Sequence, residues 1–160
     1  MSFTVGKGTV IEDDVKIGDR TLIGSNCSIK GGDGYSKTTT IGNHVDIRNM
    51  VHIAASTVIE DDVFIGPSVV TSNTRNICHG RDQRYTGQRS PVIIKRGARI
   101  GAGAVLLAGV VIGEEAEIGS GSVVVHDCEP YSTYVGNPAR KIRNVPIEEH
   151  LIPCPSKDAK

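Results

Sequence analysis

The chain has 160 residues, with 18 Lys and Arg against 18 Asp and Glu, so no net charge draws it as a whole toward nucleic acid or a membrane surface. It holds two Phe, four Tyr and no Trp, which means that aliphatic side chains must replace the aromatic rings of an ordinary core. Its four Cys form no C-x-x-C pair, which argues against a zinc knuckle or a redox dithiol. No apolar run approaches the ~18 residues of a membrane span, and no signal-peptide pattern opens the sequence, so we expect a cytoplasmic protein without nucleic-acid or membrane partners.

A repeat of six residues runs through most of the chain. Fourteen hexads begin with an aliphatic residue, which is Ile in twelve of them. These first residues are Val5, Ile11, Ile17, Ile23, Ile41, Ile47, Ile53, Ile59, Ile65, Ile94, Ile100, Leu106, Ile112 and Ile118. The fifth residue of every hexad is small or β-branched, and the second is Gly in eight of the fourteen. Gly at the second position suggests a turn that needs an unusual φ.

The period of six excludes an α-helix, because residues six apart do not return to the same helix face. Strands of three or four residues are also too short to pair as a meander of hairpins. Both problems disappear if three hexads form one triangular turn, so that each hexad stacks on the hexad three repeats earlier. The first and fifth positions then fill the interior, between parallel strands ~4.8 Å apart.

The motif [LIV]-[GAED]-x-x-[STAV]-x resembles the repeat of hexapeptide-repeat proteins. This resemblance implies an all-β fold, a left-handed parallel β-helix. We expect about five coils, one protruding loop and a short C-terminal cap, in which residues 147–151 are a candidate for a short helix. The left hand is implied by the resemblance alone, because crossovers between parallel strands are generally right-handed.

One segment, residues 30–40, lacks the motif but keeps its phase. The step from Ile29 to Ile41 is 12 residues, a multiple of six. We therefore expect residues 30–40 to form a decorated coil and not an excursion from the prism.

A second segment, residues 72–93, breaks the phase. The step from Thr71 to Ile94 is 23 residues, one short of a multiple of six, and the segment holds four Arg against one Asp. It is predicted to protrude as a loop, where binding chemistry tends to lie. The predicted organisation is a β-helix over residues 1–124, including this loop, and a cap and tail over residues 125–160.

Two segments point to an activity. The tail Tyr131–Arg140 resembles the ending of hexapeptide acyltransferases of the sugar and xenobiotic O-acetyltransferase group, and His79, 12 residues before Pro91, is placed similarly to their catalytic loop His. The resemblance implies transfer of an acetyl group from acetyl-CoA to a hydroxyl of a sugar or related small molecule, with no metal. Imidazole suits this reaction, because a hydroxyl nucleophile needs a base near neutral pH.

Four residues are candidates for binding the acceptor. Asn49 and Asn73 are similar to the Asn that family members place on the coil facing the loop, although Asn is equally common at corner turns and loop caps. Asp82 either orients the His79 ring or is a surface charge. His52, at the sixth position of its hexad, points outward and is the reserve candidate for the base.

Six residues are candidates for binding coenzyme A. The resemblance implies that coil corners offer backbone groups to the pantetheine arm and that a cationic tail meets phosphate, since the planar fork of Arg donates paired hydrogen bonds. The candidates are Gly101, Ala102, Gly119, Ser120, Arg140 and Arg143. The repeat itself also explains the glycines, so only the two arginines are independent evidence for a coenzyme A site.

Other functions stay open. An N-acetyltransferase acting on a nucleotide-linked amino sugar would use the loop arginines for the diphosphate. A γ-type carbonic anhydrase would need a close His pair, and no two of the five His are five residues apart. A non-catalytic scaffold is the third alternative. We also expect a homotrimer, in which a neighbouring prism supplies the wall opposite His79.

Overall fold

The computed structural model describes residues 2–32, 37–78, 80 and 89–151. Its strands are mostly two residues long and comprise the last residue of one hexad and the first residue of the next. In chain order they are β1 (Thr4–Val5), β2 (Val10–Ile11), β3 (Lys16–Ile17), β4 (Leu22–Ile23), β5 (Ser28–Ile29), β6 (Thr40–Ile41), β7 (Asp46–Ile47), β8 (His52–Ile53), β9 (Val58–Ile59), β10 (Phe64–Ile65), β11 (Val70–Thr71), β12 (Ile93–Ile94), β13 (Arg99–Ile100), β14 (Val105–Leu106), β15 (Val111–Ile112), β16 (Glu117–Ile118), β17 (Val123–Val124), β18 (Ser132–Gly136) and β19 (Ala139–Asn144).

The first 17 strands form three parallel sheets, which are the faces of a triangular prism. Sheet 1 contains β1, β4, β7, β10, β13 and β16; sheet 2 contains β2, β5, β8, β11, β14 and β17; sheet 3 contains β3, β6, β9, β12 and β15. First-position residues stack on one another, as Ile29 does on Ile53. The predicted stacking is confirmed. The prism has nearly six turns, because Ile29, Thr71 and Val124, which lie outside the fourteen hexads, also end strands.

The interior is aliphatic, as the composition predicts. Ile29 and Ile53 at first positions and Val45 and Ala98 at fifth positions are fully buried. Burial weakens at the N-terminal end, where the first coil has no neighbour on one side and Val5 is 39% exposed. The core therefore depends on contact between successive coils.

Glycine at the second hexad position is required by contact between coils. A β-carbon on Gly101 would lie 2.5 Å from the backbone N of Ser120 in the next coil, and one on Gly66 would lie 2.7 Å from the backbone N of Ala102. Positive φ occurs instead at the fourth position, where each corner turns, and includes non-glycine residues such as Ser68 with a φ of 60°. The prediction of an unusual φ at the second position is therefore wrong.

Both interruptions of the repeat lie at the corner where the chain passes from sheet 2 to sheet 3. The 12 residues from Ile29 to Ile41 cross only this corner, because Ile41 pairs with Ile17 and Ile59 in sheet 3. The prediction that residues 30–40 are not an excursion is wrong, because an insertion of one hexad length leaves the phase unchanged. The segment between β11 and β12 crosses the same corner two coils further on.

We call this edge of the prism the insertion corner. Its described residues are 12–15, 30–32, 37–39, 54–57, 72–78, 80, 89–92, 107–110 and 125–127.

The C-terminal end of the prism is capped by residues 125–151. Cys128 forms an isolated parallel β-bridge with Ile112. Strand β18 extends sheet 1 beside β16, and β19 pairs antiparallel with β18. The predicted short helix is a 3-10 turn over Ile147–Glu149. In the part of the chain that the structure describes, no helix is long and apolar enough to cross a membrane.

Candidate functional site

The protruding loop leaves the prism through a narrow antiparallel neck. Thr74 forms an isolated antiparallel β-bridge with Arg89, and the backbone N–H of Ser90 donates to the carbonyl of Asn73 at 2.7 Å. Arg89 Nη1 donates to Thr74 Oγ1 at 2.6 Å. Asn73 Nδ2 donates to the carbonyl of Ala55 in the preceding coil at 3.1 Å. These contacts fix both ends of the loop to the insertion corner.

The catalytic candidate His79 and its neighbour Asp82 lie outside the described residues. The structure does place the chain on either side of them, since Cys78 and Gly80 are described and the neck at Thr74 and Arg89 is fixed. The described residues that flank this part of the chain, Thr74 and Arg89, lie at the insertion corner.

A cavity on the N-terminal side of the neck, which we call the lower pocket, has a volume of about 410 Å³. It is lined by Glu12, Lys30, Gly32, His52, Ala54, Ala55, Asn73 and Arg89. The coil between the two insertions turns this corner with residues 54–57, of which Ala54 and Ala55 line the cavity, and these small side chains leave the space open. Two of the sequence-predicted acceptor residues, His52 and Asn73, thus line one cavity.

The charges of the lower pocket are partly paired. Lys30 Nζ lies 2.8 Å from Glu12 Oε1, and the backbone N–H of Gly31 donates to Glu12 Oε2 at 2.7 Å. These hydrogen bonds, that of Lys30 foremost, lower the pKa of the Glu12 carboxyl below its ordinary value. The Glu12 carboxylate therefore stays charged at neutral pH and holds the first residues of the shorter insertion against the coil.

A second cavity, which we call the upper groove, lies on the C-terminal side of the neck and has a volume of about 810 Å³. Its lining residues are Ser72, Thr74, Arg75, Ile77, Leu107, Ala108, Gly109, Val110, Val125, His126 and Asp127. Sequence reasoning did not single out Arg75. The net positive charge of the loop is the signal that could have done so.

Asn49 lies at another corner, between sheets 1 and 2, and does not line either cavity. Its Oδ1 accepts a hydrogen bond from the backbone N–H of Ser25 in the preceding coil at 2.9 Å. Asn43 makes the same kind of contact with the backbone N–H of Asp19, at 2.8 Å. The observed contact of Asn49 is that of a corner turn.

The coenzyme A candidates from the coils lie together. Gly101 and Ala102 follow β13 and Gly119 and Ser120 follow β16, so all four lie at the corner between sheets 1 and 2 on adjacent coils. Gly101, Gly119 and Ser120 line a shallow cavity of about 280 Å³ beside this corner. Phe64 and Arg99 form part of its wall.

The two arginine candidates both lie on β19, but their environments differ. Arg143 Nη2 is 3.2 Å from Glu117 Oε2, and its Nη1 is 3.8 Å from Glu149 Oε1. Arg140 is exposed, and its Nη1 donates to the carbonyl of Ala139 at 3.0 Å. A phosphate would have to compete with two carboxylates at Arg143 and with a neutral carbonyl at Arg140.

Comparisons with known proteins match the repeat regions of the chain. A family model described as bacterial transferase hexapeptide (six repeats) matches residues 91–126, and one described as hexapeptide repeat of succinyl-transferase matches residues 14–49. The solved structure of a hexapeptide-repeat-containing acetyltransferase from Vibrio cholerae superposes with a TM-score of 0.65 at 25% identity, covering 88% of this chain and 75% of that one.

Two curated relatives extend the comparison. Over 136 residues the chain is 37% identical to the bifunctional protein GlmU of Thermotoga petrophila, covering 84% of this chain and 28% of that protein. Over 65 residues it is 46% identical to dTDP-3-amino-3,6-dideoxy-alpha-D-galactopyranose 3-N-acetyltransferase of Aneurinibacillus thermoaerophilus, covering 41% of this chain and 31% of that enzyme. The chain matches less than a third of the length of either relative.

Stacked hexads on three faces, interrupted at one corner, define a parallel β-helix, and the matches to hexapeptide-repeat models and to a solved hexapeptide-repeat structure agree with the left hand that the resemblance implies. The chain belongs to the hexapeptide-repeat family.

Proposed function

We propose that the chain is an acetyl-CoA-dependent acetyltransferase whose acceptor is a sugar or a related small molecule. The observation that carries this proposal is the convergence of both insertions on one corner, where the lower pocket and the upper groove flank the neck of the loop that bears His79. The N-acetyltransferase of Aneurinibacillus thermoaerophilus and the acetyltransferase of Vibrio cholerae, to which the chain is similar, support it.

In the proposed reaction His79 takes the proton of the acceptor hydroxyl as the oxygen attacks the thioester carbonyl. A backbone N–H stabilises the oxyanion of the tetrahedral intermediate. The intermediate then expels the coenzyme A thiolate, which receives the proton from the His79 imidazolium. His52, half-buried in the lower pocket, binds the acceptor and is the second candidate for the base.

Coenzyme A is proposed to lie across the outward face of sheet 2. Gly101 and Ser120 lie along one edge of this face, and Leu107 and His126 lie along the opposite edge. The six-residue step from Gly101 to Leu107 spans at most ~20 Å at the rise of an extended strand. The cosubstrate's phosphates would then lie near Arg140, and its thioester would reach the insertion corner.

A homotrimer with the active sites between subunits completes the proposal. The outward row of sheet 2 includes Val10 and Val70, which are 64% and 38% exposed, and also His52. A second copy packed on this row would cover the apolar side chains and close the site opposite the loop.

Light scattering should give about three times the 17.0 kDa of one chain. Val70→Glu should shift the mass toward that of a monomer, whereas Leu22→Glu, on the face of sheet 1, should not.

Calorimetric titration with coenzyme A tests the function directly, followed by a screen of hydroxyl and amino sugars with acetyl-CoA. We expect saturable binding and acetylation of at least one sugar class. A carbonic anhydrase or a passive scaffold would bind no coenzyme A, so the absence of heat or competition at millimolar ligand would overturn the proposal.

A further inference from the structure

The two ends of the prism differ, because residues 125–151 cap the C-terminal end and the N-terminal end carries no such cap in the described part of the chain. Strands β1, β2 and β3 of the first coil each pair with one strand of the second coil. Within residues 2–32, 37–78, 80 and 89–151, no strand pairs with their other edges. We call the side of the first coil, residues 2–19, that faces away from the second coil the open end.

The open end is apolar. Phe3 and Val5 are 46% and 39% exposed. Ile11 is only partly buried, whereas Ile29, which stacks on it in the second coil, is fully buried. Repeat proteins ordinarily close such an end with a unit whose outer face is polar. The first coil instead has the aliphatic first positions of an inner coil and leaves them without a neighbour on one side.

The backbone of the open end also has the hydrogen-bonding pattern of an inner coil. Each inner coil directs its fourth-position N–H and its first-position carbonyl toward the coil before it: Asn26 N–H donates to the carbonyl of Lys7 at 3.0 Å, and the carbonyl of Ile23 accepts from Gly6 N–H at 2.8 Å. Because a strand residue directs its N–H and its carbonyl to the same side, the first-position N–H points the same way. The equivalent groups of the open end are the N–H of Gly8 and Asp14 and the N–H and carbonyl groups of Val5, Ile11 and Ile17.

Two exposed charges lie at the corners of the open end. Lys7 and Asp13 occupy the third positions of successive hexads, and neither side chain has a hydrogen-bond or ion-pair partner among the residues that the structure describes. Third-position side chains of inner coils reach toward the coil before them, as Asn43 Oδ1 does when it accepts the backbone N–H of Asp19 at 2.8 Å. The same direction in the first coil brings Lys7 and Asp13 toward the open end.

We propose that the open end binds the open end of a second copy of this chain about a two-fold axis. The axis passes through Ile11 and through the opposite corner, which contains Asp19 and Arg20. Ile11 then lies opposite the second copy's Ile11, and Val5 lies opposite its Ile17. The strands are antiparallel, and each of these pairs exchanges two backbone hydrogen bonds. A second prism end has the same triangular outline and the same three strand edges, as a self-complementary interface requires.

The charges select this axis from the three that the triangular outline allows. A two-fold axis sets one corner against its own copy and exchanges the other two corners. An axis at the corner of Lys7 would oppose two lysines, and an axis at the corner of Asp13 and Asp14 would oppose four carboxylates. With the axis at the corner of Asp19 and Arg20, Lys7 of each copy faces Asp13 of the other, and each Asp19 lies near the other copy's Arg20. Complementary charges thus fix the register of the interface.

The size of the open end sets the strength of the contact. One open end presents three hexads, fewer than the ~20–30 residues that each side of a standard interface contributes. The contact between two single prisms should therefore dissociate on dilution. In the trimer proposed above, three open ends would lie side by side and strengthen the contact through multivalency.

Sedimentation over a dilution series from about 1 to 100 µM, which brackets a contact of moderate affinity, tests the proposal. We expect an even number of chains at high concentration and half that mass on dilution. Lys7→Glu opposes like charges at both contacts and should raise the dissociation constant by about 10-fold or more, as should Asp13→Lys. The double variant Lys7→Glu with Asp13→Lys exchanges the two charges and should restore the dissociation constant to within about threefold.

Lys16→Glu is the matched control. It makes the same charge reversal in the same coil, but Lys16 precedes Ile17 in β3 and points outward from sheet 3. A substitution that faces no charge of the second copy should change the dissociation constant by less than about twofold.

Hydrogen exchange locates the contact within the chain. At high concentration the N–H groups of Val5, Ile11 and Ile17 should exchange about 10-fold or more slowly in the unmutated chain than in Lys7→Glu. The N–H of Ile53, inside the prism, should exchange equally in both, which shows that the variant is folded.

Three results would overturn the proposal. The first is an odd number of chains at every concentration, or an even-numbered assembly that Lys7→Glu does not weaken. The second is dissociation in both single variants without recovery in the double variant, because Lys7 and Asp13 then do not face each other. The third is protection of the Val5, Ile11 and Ile17 N–H groups in a chain that does not double its mass, because another part of the same chain then covers the open end.

Discussion

The contact between coils can be tested by adding one methyl group. Gly66→Ala places a β-carbon 2.7 Å from the backbone N of Ala102 and 2.9 Å from the carbonyl O of Ile100, in the middle of the prism. Both atoms belong to the backbone of the next coil, so no side-chain rotation relieves the overlap. The coils must separate locally and weaken the hydrogen bond from Gly66 N–H to the Ile100 carbonyl, which is 2.8 Å long.

The matched control is Gly103→Ala, which strains the backbone without overlap. Gly103 has a φ of +67° and nothing within 4 Å of its β-carbon position. Left-handed backbone costs a non-glycine residue about 1–2 kcal/mol, and the smaller entropy of the unfolded chain offsets about 0.4–1 kcal/mol of this. Overpacking typically costs about 1–3 kcal/mol, and more where the backbone cannot move. We therefore expect Gly66→Ala to lose about 2–3 kcal/mol and Gly103→Ala about 1 kcal/mol or less.

Urea unfolding followed by circular dichroism measures the difference. With a slope of about 2 kcal/mol per molar urea, the midpoint of Gly66→Ala should fall by about 1 M and that of Gly103→Ala by less than about 0.5 M. If Gly66→Ala is no more destabilised than Gly103→Ala, the overlap between coils does not account for glycine at the second hexad position, and the reasoning is refuted.

Three further changes test the site and the core. His79→Ala should lower turnover at saturating acetyl-CoA by ~10²–10⁴, the range for a positioned base, and His52→Ala should lower it much less. Arg140→Gln should raise the KM for acetyl-CoA more than Arg143→Gln does, because two carboxylates already engage Arg143; turnover at saturation should be largely kept. Burial raises the pKa of the Cys128 thiol from 9.0 to about 12. The folded state therefore favours the neutral thiol, so the free energy of unfolding should fall as the pH rises from about 9 toward 12, and Cys128→Ala should remove that slope.

Each of these expectations has a contradicting result. A larger loss of turnover in His52→Ala than in His79→Ala would make His52 the base. A larger KM effect of Arg143→Gln would show that the cosubstrate displaces Glu117 or Glu149. For the alkaline slope, Cys27→Ala removes another buried thiol and serves as the control. The same slope in Cys128→Ala and in the unmutated chain would exclude Cys128 as its source.

The fold was predictable because the hexad pattern repeats the same physical requirement at every coil. An aliphatic first residue and a small fifth residue, such as Ile53 and Thr57, must both fit inside the prism, and both are buried. The corner glycines were located correctly but for the wrong reason. A contact such as that of Gly101 with Ser120 joins residues a full turn apart, and the sequence does not show which backbone atoms meet there.

The candidate site was less predictable, because its residues come together only through the position of the insertions. His52 and Asn73 were identified one by one, but the cavity that joins them is also lined by Lys30 and Glu12 from an earlier coil. Nothing in the local sequence of Lys30 indicates this. Its position depends on whether residues 30–40 turn one corner or two.

The sequence itself indicates whether residues 30–40 turn one corner or two. If residues 30–40 formed an ordinary side of the prism, Tyr35 would occupy a first position, where all fourteen hexads have an aliphatic residue. A large polar aromatic there is incompatible with an interior of stacked Ile and Val. The phase of the repeat therefore fixes the face on which a hexad lies only when no first position carries a large aromatic or charged side chain. By that criterion the hexad-length insertion is recognisable from the sequence, and it places Lys30 at the same corner as the loop that carries His79 and Arg75.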